Sequence, residues 1–236
     1  LTGIPSQTIE ESISDINTLL ALGWNHFSLY SLTLEGGTPL YKQISFGKME
    51  MPSSDFAEKY WMEAVKIFEK QKYCQYEISN FARPGYDFRL NLRYWRMEPY
   101  IGVGPGAVST LPGKDGQIIR INNAHSLQEY ISSKVKMKAF EYEHISPKEF
   151  LIENLMMGFR LEEGIGKKRF IKRFGRPFGQ MFSEIWEKWK KGDRGIETED
   201  SWKLTKQGRY LLDSLLREVV QSLEKTAGIH LLSWGK

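Results

Sequence analysis

Residues 26–34, His-Phe-Ser-Leu-Tyr-Ser-Leu-Thr-Leu, indicate the fold class of this chain. The apolar side chains of Phe27 and Leu29 alternate with more polar neighbours, which is the period-two pattern of a strand with one buried face. The stretch 35–39, which contains two glycines and a proline, breaks the alternation and is expected to end the strand.

The segments on both sides of this strand have helical patterns. Thr8 and Glu11 fit a capping box, and apolar residues then recur at helical spacing until Gly23. A second helix is expected after Ser53, and residues 73–79 alternate again as a second strand. Because strands separated by helices are typical of parallel βα units, the sequence predicts an α/β fold, either an open sheet or a barrel.

The last third of the chain has a different character. Residues 151–236 carry 17 Lys and Arg against 12 Asp and Glu, whereas residues 1–150 are close to neutral. The pattern of two helices, a short β ribbon and a closing helix over 206–223 is typical of a winged-helix-like module. We therefore expect an α/β domain over residues 1–140 and a mostly helical, winged-helix-like domain over residues 141–236.

Composition excludes several classes of protein. The 13 Phe, 11 Tyr and 7 Trp among 236 residues, with a net charge of only +4, exclude disorder as the main state. No stretch approaches the ~18 apolar residues of a membrane span. The single cysteine, Cys74, excludes an internal disulfide and a thiolate metal site held by this chain alone. We expect Cys74 on the apolar side of its strand, no metal site, no signal peptide and a cytoplasmic protein.

Two motifs have both a functional and a structural interpretation. Residues 102–106, Gly-Val-Gly-Pro-Gly, lack the spacing of a dinucleotide-binding loop, and Pro105 removes an N–H donor, so a tight turn is favoured over a phosphate cradle. The basic stretch 167–176 suggests nucleic-acid binding. The favoured alternative is an amphipathic helix that turns Phe170 and Phe174 toward a core.

A polar and aromatic stretch at residues 76–85 begins on a predicted strand and continues past its end. Gln7 lies in a comparable loop just before a helix, and the carboxyl ends of strands in α/β folds bind ligands, so both loops are expected to face one cavity. Structural roles stay open, with Glu77 as a salt-bridge partner and Asn80 as a turn former. These residues predict a ligand edge and no particular reaction.

Seven stretches resemble, in order, the motifs of the oxygen-independent coproporphyrinogen III oxidase-like family of radical S-adenosylmethionine (SAM) proteins. The first, GIPSQT at residues 3–8, is similar to the family's GLPGQT. The others are SLTLEGGTPLY at 31–41, YEISNFARPG at 76–85, NLRYW at 91–95, GVGPGA at 102–107, GFRL at 158–161 and LTKQG at 204–208. The resemblance spans nearly the whole chain, and the heme-chaperone branch of the family fits better than the true oxidases.

The resemblance implies the C-terminal part of a partial (β/α)6 radical SAM barrel, followed by the winged-helix-like domain. The family's CxxxCxxC motif, which binds a [4Fe–4S] cluster, is absent, so we expect a fragment that does no radical chemistry alone. SAM and the cluster are the cofactors implied for the full-length family protein, and heme is a further candidate. The implied partners are heme or porphyrin and heme-accepting proteins, without nucleic acid.

The resemblance also implies roles for individual residues. Gln7 contacts SAM from its loop, Ala82 lines the adenosyl end through its backbone, and Leu155 packs nearby. No catalytic residue is implied within this chain.

The same resemblance places a heme or porphyrin near Asn91, Tyr94 and Trp95, with the two aromatic rings as stacking surfaces. Leu90 and Val108 stand where family chaperones have histidine, and neither can ligate heme iron. The sequence therefore predicts part of a heme-chaperone-like radical SAM protein. The alternatives are a true coproporphyrinogen III oxidase and a basic winged-helix protein that binds nucleic acid.

Overall fold

A computed structural model describes residues 1–113, 117–132 and 140–225. The chain divides into two compact units, Leu1–Phe88 and Arg89–Lys236. Both units combine helices and strands, as the predicted fold class requires. The two compact units meet between Phe88 and Arg89, whereas the sequence predicts a domain boundary near residue 140. Compact units do not have to coincide with the domains of a family, so the boundary near residue 140 stays a prediction.

The first unit begins with the predicted helix. Thr8 and Glu11 form a reciprocal capping box, which satisfies two backbone N–H groups at the start of α1. The elements of this unit are α1 (Ile9–Ala21), β1 (His26–Ser28), α2 (Pro39–Ser45), α3 (Ser54–Lys70), β2 (Cys74–Glu77) and β3 (Asn80–Ala82).

The sheet of the first unit has the order β1-β3-β2, and both pairings are antiparallel. Strands β1 and β2 run in the same direction, as expected of βα units, but β3 lies between them. The chain reverses after Glu77 and returns along both strands, so that Ala82 pairs with His26 and with Cys74.

One face of this sheet packs against α1 and α3. Phe27, Phe68 and Phe81 form the centre of this core, and the rings of Phe68 and Phe81 stack at 4.6 Å between centroids. The expectation that Cys74 lies on the apolar side is wrong. Its pairing with Ala82 places it on the opposite face, and it is exposed.

The second unit contains two further antiparallel sheets, β4-β5-β6 and β7-β9-β8. The predicted helix over 206–223 is divided at Leu211, which caps the first of its two parts. The elements of this unit are α4 (Arg89–Trp95), β4 (Val108–Pro112), β5 (Ile118–Asn123), α5 (Leu127–Ser132), β6 (Phe140–Ile145), α6 (Pro147–Gly158), β7 (Ile165–Gly166), α7 (Lys167–Phe174), α8 (Phe178–Met181), α9 (Ser183–Lys191), β8 (Gly195–Glu197), β9 (Ser201–Leu204), α10 (Lys206–Tyr210) and α11 (Leu212–Lys225).

The basic stretch 167–176 contains an amphipathic helix, α7, as the structural interpretation predicts. Phe170 is buried and contacts Phe174, Phe178 and Trp202 in an aromatic core. The basic side chains of Lys167 and Arg173 have protein partners, described below.

A single carboxylate on β8 of the second unit links this strand to α7, α9 and β9. Glu197 at the end of β8 accepts hydrogen bonds from the indole N–H groups of Trp186 and Trp202, each at 3.0 Å, and from Lys167 at 2.8 Å. Partial burial would raise the pKa of Glu197, but these three donors outweigh it and lower the pKa to about 2.

We expect Glu197 to make the stability of the protein depend on acid. Because its folded pKa lies below its ordinary value of 4.5, its contribution is present above pH 4.5 and is lost as the pH falls toward 2. With one third of the side chain exposed, solvent screening limits the contribution to about 1–3 kcal/mol. Denaturant unfolding between pH 2.5 and 7 should show this loss in the wild type and a flatter profile in Glu197→Gln. Identical profiles would refute the assignment.

In the three described stretches, no helix combines the length and the apolar composition that a bilayer crossing demands.

Candidate functional site

The face of the first sheet opposite its apolar core carries polar and small side chains. Directly paired residues of antiparallel strands project to the same face. By the register of the three strands, this face carries His26, Ser28, Glu77, Asn80 and Ala82. Cys74, which pairs with Ala82, lies on the same face.

A buried carboxylate organises this polar face. Glu77 is fully buried and accepts hydrogen bonds from the backbone N–H of Ser79, at 2.7 Å, and from the side-chain amide of Asn80. The side-chain oxygen of Asn80, Oδ1, accepts a hydrogen bond from the hydroxyl of Ser28 at 2.6 Å. Glu77 therefore fixes the hairpin turn and the orientation of Asn80 together. Two amide groups donate to Glu77, and Asn80 lies at the turn between β2 and β3. The salt-bridge role considered for Glu77 stays a prediction.

His26 adds an imidazole to the same face. Its Nε2 lies 2.9 Å from the hydroxyl of Tyr76. Burial lowers the pKa of His26 below its usual value and outweighs the opposing charges of Asp87 and Glu77. The ring is therefore neutral at pH 7 and is held by Tyr76.

A tight turn presents Gln7. The backbone N–H of Gln7 donates to the carbonyl of Ile4 at 3.0 Å, and Ser6 within this turn has a positive φ of 64°. Gln7 Oε1 is buried, and it has no hydrogen-bond partner among the residues the structure describes. A cavity of about 370 Å³ is lined by Ile4, Pro5, Ser6, Gln7, Glu11 and Asp15.

Gln7 and Ala82 lie toward opposite ends of the sheet. Thr2, which precedes the Gln7 turn, bridges Ser31 beyond the end of β1, whereas Ala82 pairs with His26 at its start. His26 and Ser31 are five residues apart along an extended chain, which corresponds to roughly 16 Å between the two ends. The hairpin turn around Ser79 lies at the same end of the sheet as the Gln7 turn. The carbonyl of Ser79 accepts a hydrogen bond from the N–H of Leu29, close to the end of the chain segment that pairs with Thr2.

Helix α4 carries Asn91, Tyr94 and Trp95, all of which are half-buried. The ring of Tyr94 packs edge-on against Tyr100, with 4.6 Å between centroids. The guanidinium of Arg160 covers one face of the Trp95 ring at 4.6 Å. A planar ligand that stacks on Trp95 would therefore use the opposite face of the ring.

The C-terminal end of α4 is held by side chains from the second half of the same unit. Arg173 donates to the carbonyl oxygens of Arg96 and Met97 at 3.0 and 2.8 Å, and Arg96 forms a two-pronged salt bridge with Glu163, both contacts at 2.8 Å. Burial, followed by the charge of nearby Arg169, lowers the pKa of Arg173 to about 10, so that it remains charged at pH 7.

The glycine-rich loop 102–106 is a packed turn. A Cβ built on Gly102 would lie 2.3 Å from the carbonyl oxygen of Val108, so only glycine fits there. The side-chain amide of Asn123 donates to the carbonyls of Gly102 and Gly104, which leaves those groups unavailable to a ligand. These contacts agree with the predicted tight turn.

The other positions singled out by the sequence lie in the second unit. Leu155 is fully buried in α6, Leu90 is exposed on α4, and Val108 is half-buried on β4 opposite Asn122. The roles of Gln7, Ala82, Leu155 and the α4 residues toward ligands stay predictions.

The two implied cofactors differ in how well the chain suits them. A [4Fe–4S] cluster needs several thiolates, and this chain has only Cys74, so its residues do not fit that cluster. Among the described residues no group of three or more His, Cys, Asp or Glu could hold a metal ion. The buried, unpartnered Oε1 of Gln7 fits a ligand that donates a hydrogen bond, as the adenosyl group of SAM does.

Comparisons with known proteins confirm the family resemblance. The family model described as HemN C-terminal domain matches residues 145–211. Residues 145–211 are therefore similar to the C-terminal domain of the oxygen-independent coproporphyrinogen III oxidase-like radical SAM family.

Within this family, the relatives found include HemW proteins. The chain is 30% identical to "Heme chaperone HemW" of Buchnera aphidicola subsp. Acyrthosiphon pisum, over 91% of this chain and 55% of that protein. It is 31% identical to "Heme chaperone HemW" of Bacillus subtilis, over 89% of this chain and 54% of that protein. "Radical S-adenosyl methionine domain-containing protein 1, mitochondrial" of Danio rerio is 31% identical, over 94% and 52%. The chain thus spans about half the length of the curated relatives it matches.

The fold also matches a solved structure. Coproporphyrinogen III oxidase (HemN) from Escherichia coli, a radical SAM enzyme, aligns with 91% of this chain and 52% of its own length, with a TM-score of 0.67. The sequence identity is 14%, so this match concerns the fold alone.

Sequence reasoning missed His26 and Ser28 as functional candidates. Their partners, Tyr76 and Asn80, are 50 and 52 residues away along the chain. The available signal was the alternation within β1, which places both residues opposite Phe27.

Proposed function

We propose that this chain is part of a heme-chaperone-like protein that binds heme and delivers it to heme-accepting proteins. The observation that carries the proposal is the identity of about 30% to HemW heme chaperones over about nine tenths of the chain. The single cysteine supports the further proposal that the chain performs no radical chemistry without a cluster-binding segment. An exposed free thiol at Cys74 suits the reducing environment of the cytoplasm.

Helix α4 supplies the surface that we propose lies near the porphyrin. Asn91, Tyr94 and Trp95 lie within one and a half turns of this helix, and Arg173 and Glu163 fix its end. Large, flat aromatic side chains held in place by their neighbours suit stacking against a macrocycle.

The chaperone and oxidase alternatives differ in the preferred ligand. An oxidase would bind a tetracarboxylate porphyrin skeleton, whereas a heme chaperone binds an iron porphyrin. Equilibrium titrations of the chain with hemin and with coproporphyrin III separate the two. We expect hemin to bind at least about tenfold more tightly. Tighter binding of coproporphyrin III would favour the oxidase.

We propose that Gln7 contacts SAM. The cavity beside it is lined by the carboxylates of Glu11 and Asp15, whose charge suits a cationic sulfonium. Because Gln7 Oε1 has no partner within the described structure, its removal should cost the free protein nothing.

Gln7→Ala should therefore weaken SAM binding without lowering stability. We expect the affinity for SAM to fall by about ten- to a hundredfold. This corresponds to a total of about 1–3 kcal/mol, the free energy of one or two lost hydrogen bonds. Calorimetry would measure SAM affinity in the protein that carries the cluster-binding segment, and thermal unfolding would measure stability. Lower stability with unchanged SAM affinity would mean that Gln7 only braces the turn.

The basic winged-helix alternative receives less support. Lys167 is paired with Glu197, and Arg173 donates to backbone carbonyls, so neither side chain is available to phosphate. DNA binding by the chain that weakens steeply with salt would argue for this alternative instead.

A further inference from the structure

The second unit has a strongly exposed apolar surface formed by loop 101–106 and helix α5. We call it the loop–helix patch and define it by Ile101, Val103, Leu127 and Ile131, which are 73%, 83%, 62% and 52% exposed. Concentrated apolar exposure of this kind marks a binding surface more often than scattered apolar residues do.

Hydrogen bonds join the loop and the helix into one surface. The N–H of Gly104 donates to the hydroxyl of Tyr130 on α5 at 3.1 Å, and the N–H of Gly106 donates to the carbonyl of Ala124 at 2.9 Å. Leu127 and Ile131 are one turn apart on α5, so they share a face beside Tyr130.

An imidazole borders this patch. His125 is exposed and lies between Ala124, which bonds to the loop, and the start of α5. A Cβ built on Gly106 would be 3.1 Å from His125 Nδ1 and 3.6 Å from Cε1, so Nδ1 is the ring nitrogen nearer to the loop and Nε2 is the farther one. Within the described part of the chain, His125 makes no hydrogen bond or ion pair.

The other described histidines are less suited to bind a ligand of this surface. His26 is half-buried and held by Tyr76. His144 is exposed, but it lies on β6 and pairs with Ile119 near the start of β5. The loop and α5 adjoin the other end of β5, after Asn123. His230 lies outside the described residues.

We infer that the loop–helix patch binds the face of a heme and that His125 Nε2 is an axial ligand of its iron. An imidazole beside an apolar surface provides the two features a metalloporphyrin recognises, a nitrogen donor for iron and a face for the macrocycle. This inference deepens the proposed heme-binding function and rests on it. It places the macrocycle on the loop–helix patch and α4 at the edge of that site, because Tyr94 of α4 packs against Tyr100, the residue before Ile101. It supplies an iron ligand although Leu90 and Val108 replace the histidines implied by the family resemblance.

The test uses two probes. Hemin binds through both the iron–His125 bond and the apolar contact with the patch, whereas metal-free protoporphyrin IX can make only the apolar contact. In the 236-residue chain, His125→Ala should weaken hemin binding about tenfold or more, shift the Soret band, and leave protoporphyrin affinity unchanged. Added imidazole should restore the wild-type hemin spectrum. The double variant Val103→Asn/Leu127→Asn should weaken both probes.

His144→Ala is the matched control and should bind hemin as the wild type does, and circular dichroism would confirm that every variant is folded. Hemin binding and spectrum unchanged in His125→Ala, or lost in His144→Ala, would overturn the assignment while leaving the proposed heme-binding function intact. A wild-type chain that binds no hemin would overturn both.

Discussion

Arg173→Ala should destabilise the second unit by about 3–4 kcal/mol. The guanidinium donates to three acceptors, the carbonyls of Arg96 and Met97 and, at 2.6 Å, the side-chain oxygen of Asn154. Removing it leaves these oxygens without a charged donor in a largely buried location. Two of them cap the C-terminal end of α4, where a positive charge also interacts favourably with the helix dipole.

The measurement is denaturant unfolding combined with hydrogen exchange. We expect the amides of α4 to lose protection first, because Arg173 joins this helix to α7. Arg173→Lys should recover only part of the stability, since a single ammonium cannot reproduce the planar fork of donors. Lys172→Ala, at an exposed position next to it, is the control and should change stability by less than about 0.5 kcal/mol. Equal losses in the two alanine variants would contradict this role of Arg173.

Glu77→Ala should destabilise the first unit by about 2–4 kcal/mol. The carboxylate is fully buried and accepts from the Ser79 backbone and from the Asn80 side chain. Without it, two donors inside the hairpin lose their acceptor, and Asn80 is free to turn away from Ser28.

Thermal unfolding would measure the loss of stability, and exchange of the β3 amides would show whether the hairpin opens. Glu63→Ala removes an exposed carboxylate that pairs with Lys66 on α3 and should change stability by less than about 0.5 kcal/mol. If Glu77→Ala were as stable as Glu63→Ala, the polar face would not depend on Glu77.

The elements that the sequence predicts correctly depend on local interactions. The cap of α1, for example, requires only Thr8 and Glu11, which are three residues apart. The glycine-rich turn at 102–106 was likewise predictable, because Pro105 argues against a phosphate cradle in the sequence itself.

The features that the sequence does not reveal depend on distant contacts. Residues 73–82 contain no glycine or proline to mark the reversal into β3, and Glu77 stabilises that turn through its side chain. The reversal also decides that Cys74 is exposed and that Ala82 lies far from the Gln7 edge. The division between α10 and α11 at Leu211 similarly interrupts an apolar periodicity that predicts one helix.

Equilibrium titration with hemin is the direct test of whether this chain binds heme. We expect a Soret difference band that saturates at one hemin per chain, with a dissociation constant in the micromolar range or below. A difference signal that rises without saturation, or that is the same for the heat-denatured chain, would show that the folded chain has no specific heme site.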